Sequence, residues 1–173
     1  MEYPVLPLGR RKRIALIAHD NKKSDLLEWA RYNEDALANH LLYGTGTTGT
    51  LLERELGMEI TTVQSGPLGG DQQIGAKIAA GEIDLVIFFW DPLEPQPHDV
   101  DVKALLRLAV VWNIPIACNR TTADFVFSSR LMDEEYERIL PDYQQHQQRA
   151  IATVKRVGPT YNDTSHPEDD PAL

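Results

Sequence analysis

The chain has 173 residues, 42% of them hydrophobic, and this length predicts one domain with a full core. Its net charge of −9 argues against nucleic acid as a partner, and its longest apolar run, Leu85 to Trp90, is too short to span a membrane. The single cysteine, Cys118, excludes an internal disulfide and predicts a buried structural thiol. Together with the lack of a signal-like segment, it favours a cytoplasmic location.

The first half of the chain alternates between apolar strand-like runs and helical patterns. Residues 1–9 lack any periodicity and predict an irregular segment. Buried strands are predicted at Arg13–Ala18, His40–Tyr43 and Ile60–Val63. Helices are predicted after an N-cap at Ser24, from Leu51 to Leu56, and from about Asp71 through Ala79.

The second half continues the alternation. The run Asp84–Trp90 predicts a central strand, and Ile114–Cys118 predicts a fifth strand whose proline favours a strand start or a sheet edge. Helical patterns are found from Val102 to Val111, after a cap at Thr121 or Thr122, and over residues 134–156 with a break at Pro141. Residues 157–173 are acidic and poor in apolar residues, which predicts a disordered tail after a single domain of residues 1–156.

Five strands alternating with helices predict an α/β fold, a doubly wound, mainly parallel five-stranded sheet flanked by helices. In such sheets, ligands bind beyond the carboxyl ends of the strands. Four polar loops follow predicted strands at that end, and they begin at His19, Thr45, Ser65 and Asp91. We therefore expect these loops to converge on one site.

The segment from Gly44 to Gly49 contains three glycines and three threonines between a strand and a helix. Such a turn can direct N–H and hydroxyl groups at an anion, and Lys23 and His19 are predicted at the same end of the sheet. The segment matches neither the P-loop nor the dinucleotide-binding fingerprint. It predicts a small phosphate site, with a simple helix-capping turn as the alternative.

The acidic residues Asp71, Asp91 and Asp101 are predicted near the same end of the sheet, with Asp20 and Asp99 close by. Asp71 follows Gly69-Gly70 where a helix begins, so it could be an N-cap. A carboxylate among other carboxylates can instead act as a general base near neutral pH, or the group could bind Mg²⁺. A phosphate cradle, a carboxylate and a histidine together suit proton abstraction beside a carbonyl group.

Five segments of the chain form a recognisable set: His19-Asp20, Gly44 to Gly49, Ser65 to Gln73, Phe88 to Pro92 and Pro97 to Leu105. Over about residues 12–143 they closely resemble the methylglyoxal synthase family. The resemblance implies a carbon–oxygen lyase that converts dihydroxyacetone phosphate to methylglyoxal and inorganic phosphate without a cofactor or a metal. It also implies the family's α/β fold, a homohexamer, and inhibition by inorganic phosphate.

The resemblance also implies roles for individual residues. Asp71 resembles the general base, His98 the histidine that binds the substrate oxygens, and Asp101 an acid that tunes His98 or transfers a proton. In the C-terminal region only Arg149 fits the family's basic residue that contacts phosphate across a subunit boundary. The substrate-binding positions are His19, Lys23, Thr45, Gly46, Thr47, Thr48, Ser65, Gly66 and Asp91.

Two other functions fit parts of the pattern. Domains of this fold also serve as regulatory modules that sense small ligands, and such a module needs the phosphate pocket but no base. A metal-dependent phosphatase could use the acidic residues and would require Mg²⁺. The presence of Asp71, His98 and Asp101 in one chain favours the lyase over both.

Overall fold

The computed structural model describes residues 4–94, 99–141 and 143. The chain divides into two compact units, Met1–Pro141 and Asp142–Leu173, and the fold below is that of the first. The predicted domain of residues 1–156 and the predicted tail of residues 157–173 therefore stay predictions, because almost all of the second unit lies outside the described residues.

The described residues of this unit form seven strands and six α-helices. The strands are β1 (Val5–Leu8), β2 (Arg13–Ala18), β3 (Leu41–Thr45), β4 (Ile60–Val63), β5 (Leu85–Phe89), β6 (Ile116–Ala117) and β7 (Tyr136–Ile139). The helices are α1 (Lys23–Tyr32), α2 (Glu34–Leu37), α3 (Gly46–Leu56), α4 (Gly70–Ala79), α5 (Asp99–Val111) and α6 (Arg120–Phe127). No helix in the described part of the chain is long and apolar enough to cross a membrane.

The main sheet has five parallel strands in the order β4-β3-β2-β5-β6, which confirms the predicted doubly wound sheet. From β2 the chain winds outward through β3 and β4, and then continues on the other side through β5 and β6. The winding therefore reverses between β2 and β5. β2 holds the middle position predicted for β5, whereas β6, with its proline, is an edge strand as predicted.

Both faces of the sheet are covered, which explains why its inner strands are apolar without alternation. In β2, Ile14 and Leu16 pack on one face with Leu26 and Trp29 of α1, and Ile17 packs on the other. The second face is covered by α4 and α5, through residues that include Ile74, Ile78, Val102 and Leu105. This three-layer arrangement leaves the two ends of the sheet for loops.

Both chain ends of the first unit differ from the predictions. β1 lies in the segment predicted to be irregular, and β7 lies where a helix was predicted, and the two pair antiparallel with Val5 opposite Ile139. Each segment is short and has little periodicity of its own. They become strands by hydrogen bonding to each other across the length of the unit, which local patterns do not reveal.

Two predicted helix caps are wrong, and the alternative interpretation of Asp71 as an N-cap is excluded. Ser24 lies inside α1, whose N-cap is Lys22. The N-cap of α6 is Asn119, whose side chain accepts a hydrogen bond from the backbone N–H of Thr122. Gly69, in a left-handed conformation, is the N-cap of α4, so Asp71 is not. Cys118 follows β6 instead of lying within a strand, and it is half-buried, with its pKa raised by burial.

Candidate active site

A cavity of about 50 Å³ lies at the carboxyl ends of the parallel strands, where three polar loops meet. It contains side chains from the loop after β2, from the start of α3 and from the loop between β4 and α4. The structure thus brings these loops together at the place predicted for a ligand. The lining residues are Ile17, Ala18, His19, Asp20, Thr45, Thr47, Gly66, Pro67 and Asp71.

The glycine-threonine segment is the first turn of a helix and not an extended loop. Thr45 is the N-cap residue of α3, which begins at Gly46. A Cβ at Gly49 would lie 2.4 Å from a methyl group of Thr62 in β4, so this glycine serves helix–strand packing. The helix N-terminus nevertheless faces the cavity through Thr45 and Thr47, and helix N-termini favour anions.

The structure separates the roles of the two neighbouring lysines. The ammonium group of Lys23 donates to Oγ1 of Thr47 at 2.7 Å and to Oδ1 of Asp20 at 2.5 Å. Lys22 instead pairs with Asp25, at 3.4 Å. Lys23 is therefore the lysine that contacts two residues of the cavity wall, and it brings a positive charge to the edge of the site.

His19 is held in place from three sides. Its backbone N–H donates to the carbonyl of Phe89, at 3.2 Å, and its ring packs edge-on against Phe88. Its Nδ1 accepts a hydrogen bond from the backbone N–H of Asp91, at 3.3 Å. A neutral imidazole whose Nδ1 is an acceptor carries its proton on Nε2. In the neutral ring, the hydrogen bond from Asp91 therefore makes Nε2 the N–H donor.

Asp71 lies in the first turn of α4 and is only 4% exposed. Asp71 lines the cavity beside Thr45 and His19, which places an acidic residue in the wall of the site. A carboxylate within reach of a substrate's carbon-bound proton can act as a general base. The position therefore suits a base.

Both oxygens of the Asp91 carboxylate accept hydrogen bonds from other residues of the chain. Its Oδ1 accepts the backbone N–H of Leu93, at 3.0 Å, and its Oδ2 accepts the side-chain amide of Asn21, at 3.2 Å. These bonds hold the pKa of Asp91 below its usual value. Asp91 is thus ionised and stabilises its own turn. It contacts His19 with its backbone N–H and not with its carboxylate. The sequence offered no sign of the part played by Asn21.

Other predicted site residues lie at or behind the cavity wall. Thr48 is 1% exposed, and its hydroxyl meets that of Thr45 and the carbonyl of Ala18. The carbonyl of Ser65 accepts the N–H groups of Leu68 and Gly70. Gly46 begins α3.

Three further predicted site residues are Asp101, His98 and Arg149. Asp101 lies in the first turn of α5 and is half-buried. His98 and Arg149, predicted to act on the substrate, lie outside the described residues, as does the side chain of Asp99. Within residues 4–94 and 99–141, no group of three or more His, Cys, Asp or Glu side chains is placed to hold a metal ion.

The family model of the MGS-like domain matches residues 25–118. A methylglyoxal synthase of Cellvibrio japonicus is 59% identical over 143 residues, which are 83% of this chain and 93% of that protein. The chain belongs to the methylglyoxal synthase family.

Two further members of the methylglyoxal synthase family support the same assignment. The methylglyoxal synthase of Saccharophagus degradans is 61% identical over 137 residues, or 79% of this chain and 89% of that protein. The crystal structure of methylglyoxal synthase from Elizabethkingia anophelis superposes with a TM-score of 0.81 at 55% identity. It covers 84% of this chain and 96% of that one.

Proposed function

We propose that this chain is a methylglyoxal synthase, which eliminates phosphate from dihydroxyacetone phosphate to give methylglyoxal and inorganic phosphate. The high identity to relatives of that name supports the assignment. The observation that carries it is the buried carboxyl group of Asp71, which lines one cavity with Thr45, Thr47 and His19. A sensing module needs the polar groups for phosphate but has no use for the acid.

The first step removes a proton from the hydroxymethyl carbon of the substrate. This carbon lies next to the carbonyl, and its deprotonation gives an enediolate with the phosphate on the adjoining carbon. Asp71 is the group we assign as the base. The Nε2–H of His19 supplies a donor for oxygen atoms on which negative charge develops, and such preorganised donors stabilise the transition state.

The second step breaks the bond between carbon and the phosphate oxygen. This bond must stand out of the enediolate plane, so that its σ* orbital overlaps the π system. We assign the orientation of the phosphate to Thr45, Thr47 and the N-terminus of α3, with Lys23 balancing its charge. Held in this way, the intermediate loses phosphate, and the enol of methylglyoxal then takes up a proton.

The resemblance supplies the rest of the proposal. His98 would bind substrate oxygens, and Asp101, in the first turn of α5, would tune His98 or transfer a proton. Dihydroxyacetone phosphate is the proposed substrate, inorganic phosphate the product and an inhibitor. We propose a cytoplasmic homohexamer in which Arg149 reaches the phosphate of a neighbouring subunit. The domain would span residues 1–156, followed by a tail.

The test is to incubate the full chain with dihydroxyacetone phosphate, once with added Mg²⁺ and once with EDTA, and to measure methylglyoxal and inorganic phosphate in both reactions. The proposal expects both products in equal amounts, at a rate that the chelator does not change. Phosphate without methylglyoxal would identify a phosphatase. Binding of phosphate without turnover would identify a sensing module.

A further inference from the structure

Gln64 connects the two loops that form most of the cavity. Its carbonyl accepts the backbone N–H of Gly46, at 3.1 Å, which ties it to the start of α3. Its own N–H donates to Oε1 of Gln73, at 2.8 Å, which ties it to α4. One peptide segment therefore bridges the helix start that carries the threonines and the helix that carries Asp71.

The backbones at this junction are in direct contact. A Cβ at Gly70 would lie 1.9 Å from the carbonyl oxygen of Gln64, so only glycine fits there. The N–H of Gly70 donates to the carbonyl of Ser65, at 2.9 Å. Because no side chain separates these segments, a small shift of Gln64 moves the start of α4 directly.

We propose that Gln73 is a positioning residue, which sets the place of Asp71 relative to the phosphate of the substrate. This inference rests on the proposed function. Gln73 is two residues from Asp71 on the same helix, and residues at this spacing point in different directions. Its exposed side chain acts through the Gln64 backbone and does not contact the reacting atoms.

The proposal predicts that the Gln73 bond affects kcat and leaves KM nearly unchanged. Loss of the Gln73 bond removes the side-chain tie between α4 and Gln64, whose carbonyl stays bound to Gly46. The base is then less well aligned with the carbon that it deprotonates, which slows the chemical step. Phosphate is held by the start of α3 and by Lys23, whose own contacts remain. We therefore expect Gln73→Ala to lower kcat by about 3- to 10-fold, the effect of one hydrogen bond. The KM for dihydroxyacetone phosphate should change by less than about twofold.

The neighbouring residue provides a matched control. Gln72 is exposed, has the same side chain and lies on the same helix, so Gln72→Ala makes an equal truncation without the bond to Gln64. Gln73→Glu keeps an acceptor oxygen at the same distance along the side chain. The experiment measures kcat, KM, the Kd of inorganic phosphate and Tm for the wild type and the three variants.

The expected result is a lower kcat in Gln73→Ala alone, recovery in Gln73→Glu, and an unchanged Kd for inorganic phosphate in all variants. Equal kcat values for Gln73→Ala and Gln72→Ala would overturn the inference. The inference would also be overturned if the Kd of inorganic phosphate in Gln73→Ala rose by as large a factor as kcat fell. A kcat in Gln73→Glu as low as in Gln73→Ala, at unchanged Tm, would overturn it as well. A wild-type protein that forms no methylglyoxal would refute the proposed function instead.

Discussion

The backbone N–H of Asp91 donates to Nδ1 of His19 between the two strands at which the sheet reverses its winding. The two residues follow adjacent parallel strands, β2 and β5, and so meet at the carboxyl ends of these strands. Crevices of this kind bind ligands in open α/β sheets. Here the crevice also fixes the tautomer of a histidine that lines the cavity.

The fixed tautomer predicts different effects for two amide substitutions of His19. A glutamine places its amide N–H₂ near the position of Nε2, whereas an asparagine is too short to reach it. We expect kcat/KM to be at least about tenfold higher in His19→Gln than in His19→Asn. Only the glutamine can keep the hydrogen bond to the charged oxygen of the substrate. Steady-state assays of methylglyoxal formation measure this, and equal values in the two variants would show that the Nε2 donor has no role.

The two lysines of the first loop should behave differently. Lys23→Met removes a cation that touches Thr47, and we expect the Kd of inorganic phosphate to rise on the order of 10- to 100-fold. Lys22→Met is the matched control, because Lys22 pairs with Asp25, and it should change the Kd by no more than about twofold. Calorimetry at two salt concentrations measures both. A similar loss in both variants would point to general charge attraction.

His40 predicts a pH dependence of stability away from the site. It is 5% exposed, packs against Phe127, and its Nδ1 accepts the N–H of Lys12 at 3.2 Å. Burial lowers its pKa from 6.5, an effect that the nearby charge of Asp133 opposes and those of Lys12 and Arg11 reinforce. As the pH falls, His40 therefore binds a proton in the unfolded chain before it does so in the folded chain. The stability that neutral His40 contributes is fully present above about pH 6.5 and is lost progressively below it.

We accordingly expect the Tm of the wild type to fall more steeply from pH 7.5 to pH 5.5 than the Tm of His40→Asn, which cannot titrate. The measurement is a series of thermal melts in matched buffers. Parallel curves for the two proteins would mean that His40 does not contribute to the pH dependence.

The sheet and its order of elements were largely predictable, since buried parallel strands such as Arg13–Ala18 are apolar throughout. That topology alone predicted that four loops converge, and three of them, after β2, β3 and β4, line the cavity. The pair β1 and β7 was not predictable, because each strand exists only through hydrogen bonds to a partner more than 120 residues away. Helix starts were also misplaced where the capping group lies outside the usual pattern, as with Gly69.

Within the site, the types of residue were predictable, but the role of each individual residue was not. A sequence shows that Asp71 and Asp91 both follow strands, but not that one lines the cavity while the other is bound by Leu93 and Asn21. Nor does it show that the carbonyl and N–H of Gln64 join two loops. Such roles depend on where the folded backbone places its N–H and carbonyl groups, and the identity of a single residue does not reveal this.

The central claim is that Asp71 removes the carbon-bound proton, and Asp71→Asn tests it most directly. The amide keeps the shape of the side chain but cannot accept the proton, so kcat should fall by roughly 10²–10⁴-fold while the Kd of inorganic phosphate stays unchanged. Exchange of the substrate's carbon-bound hydrogen with D₂O, followed by NMR, should slow equally. A variant with near-normal turnover and exchange would contradict the account and remove Asp71 from the mechanism.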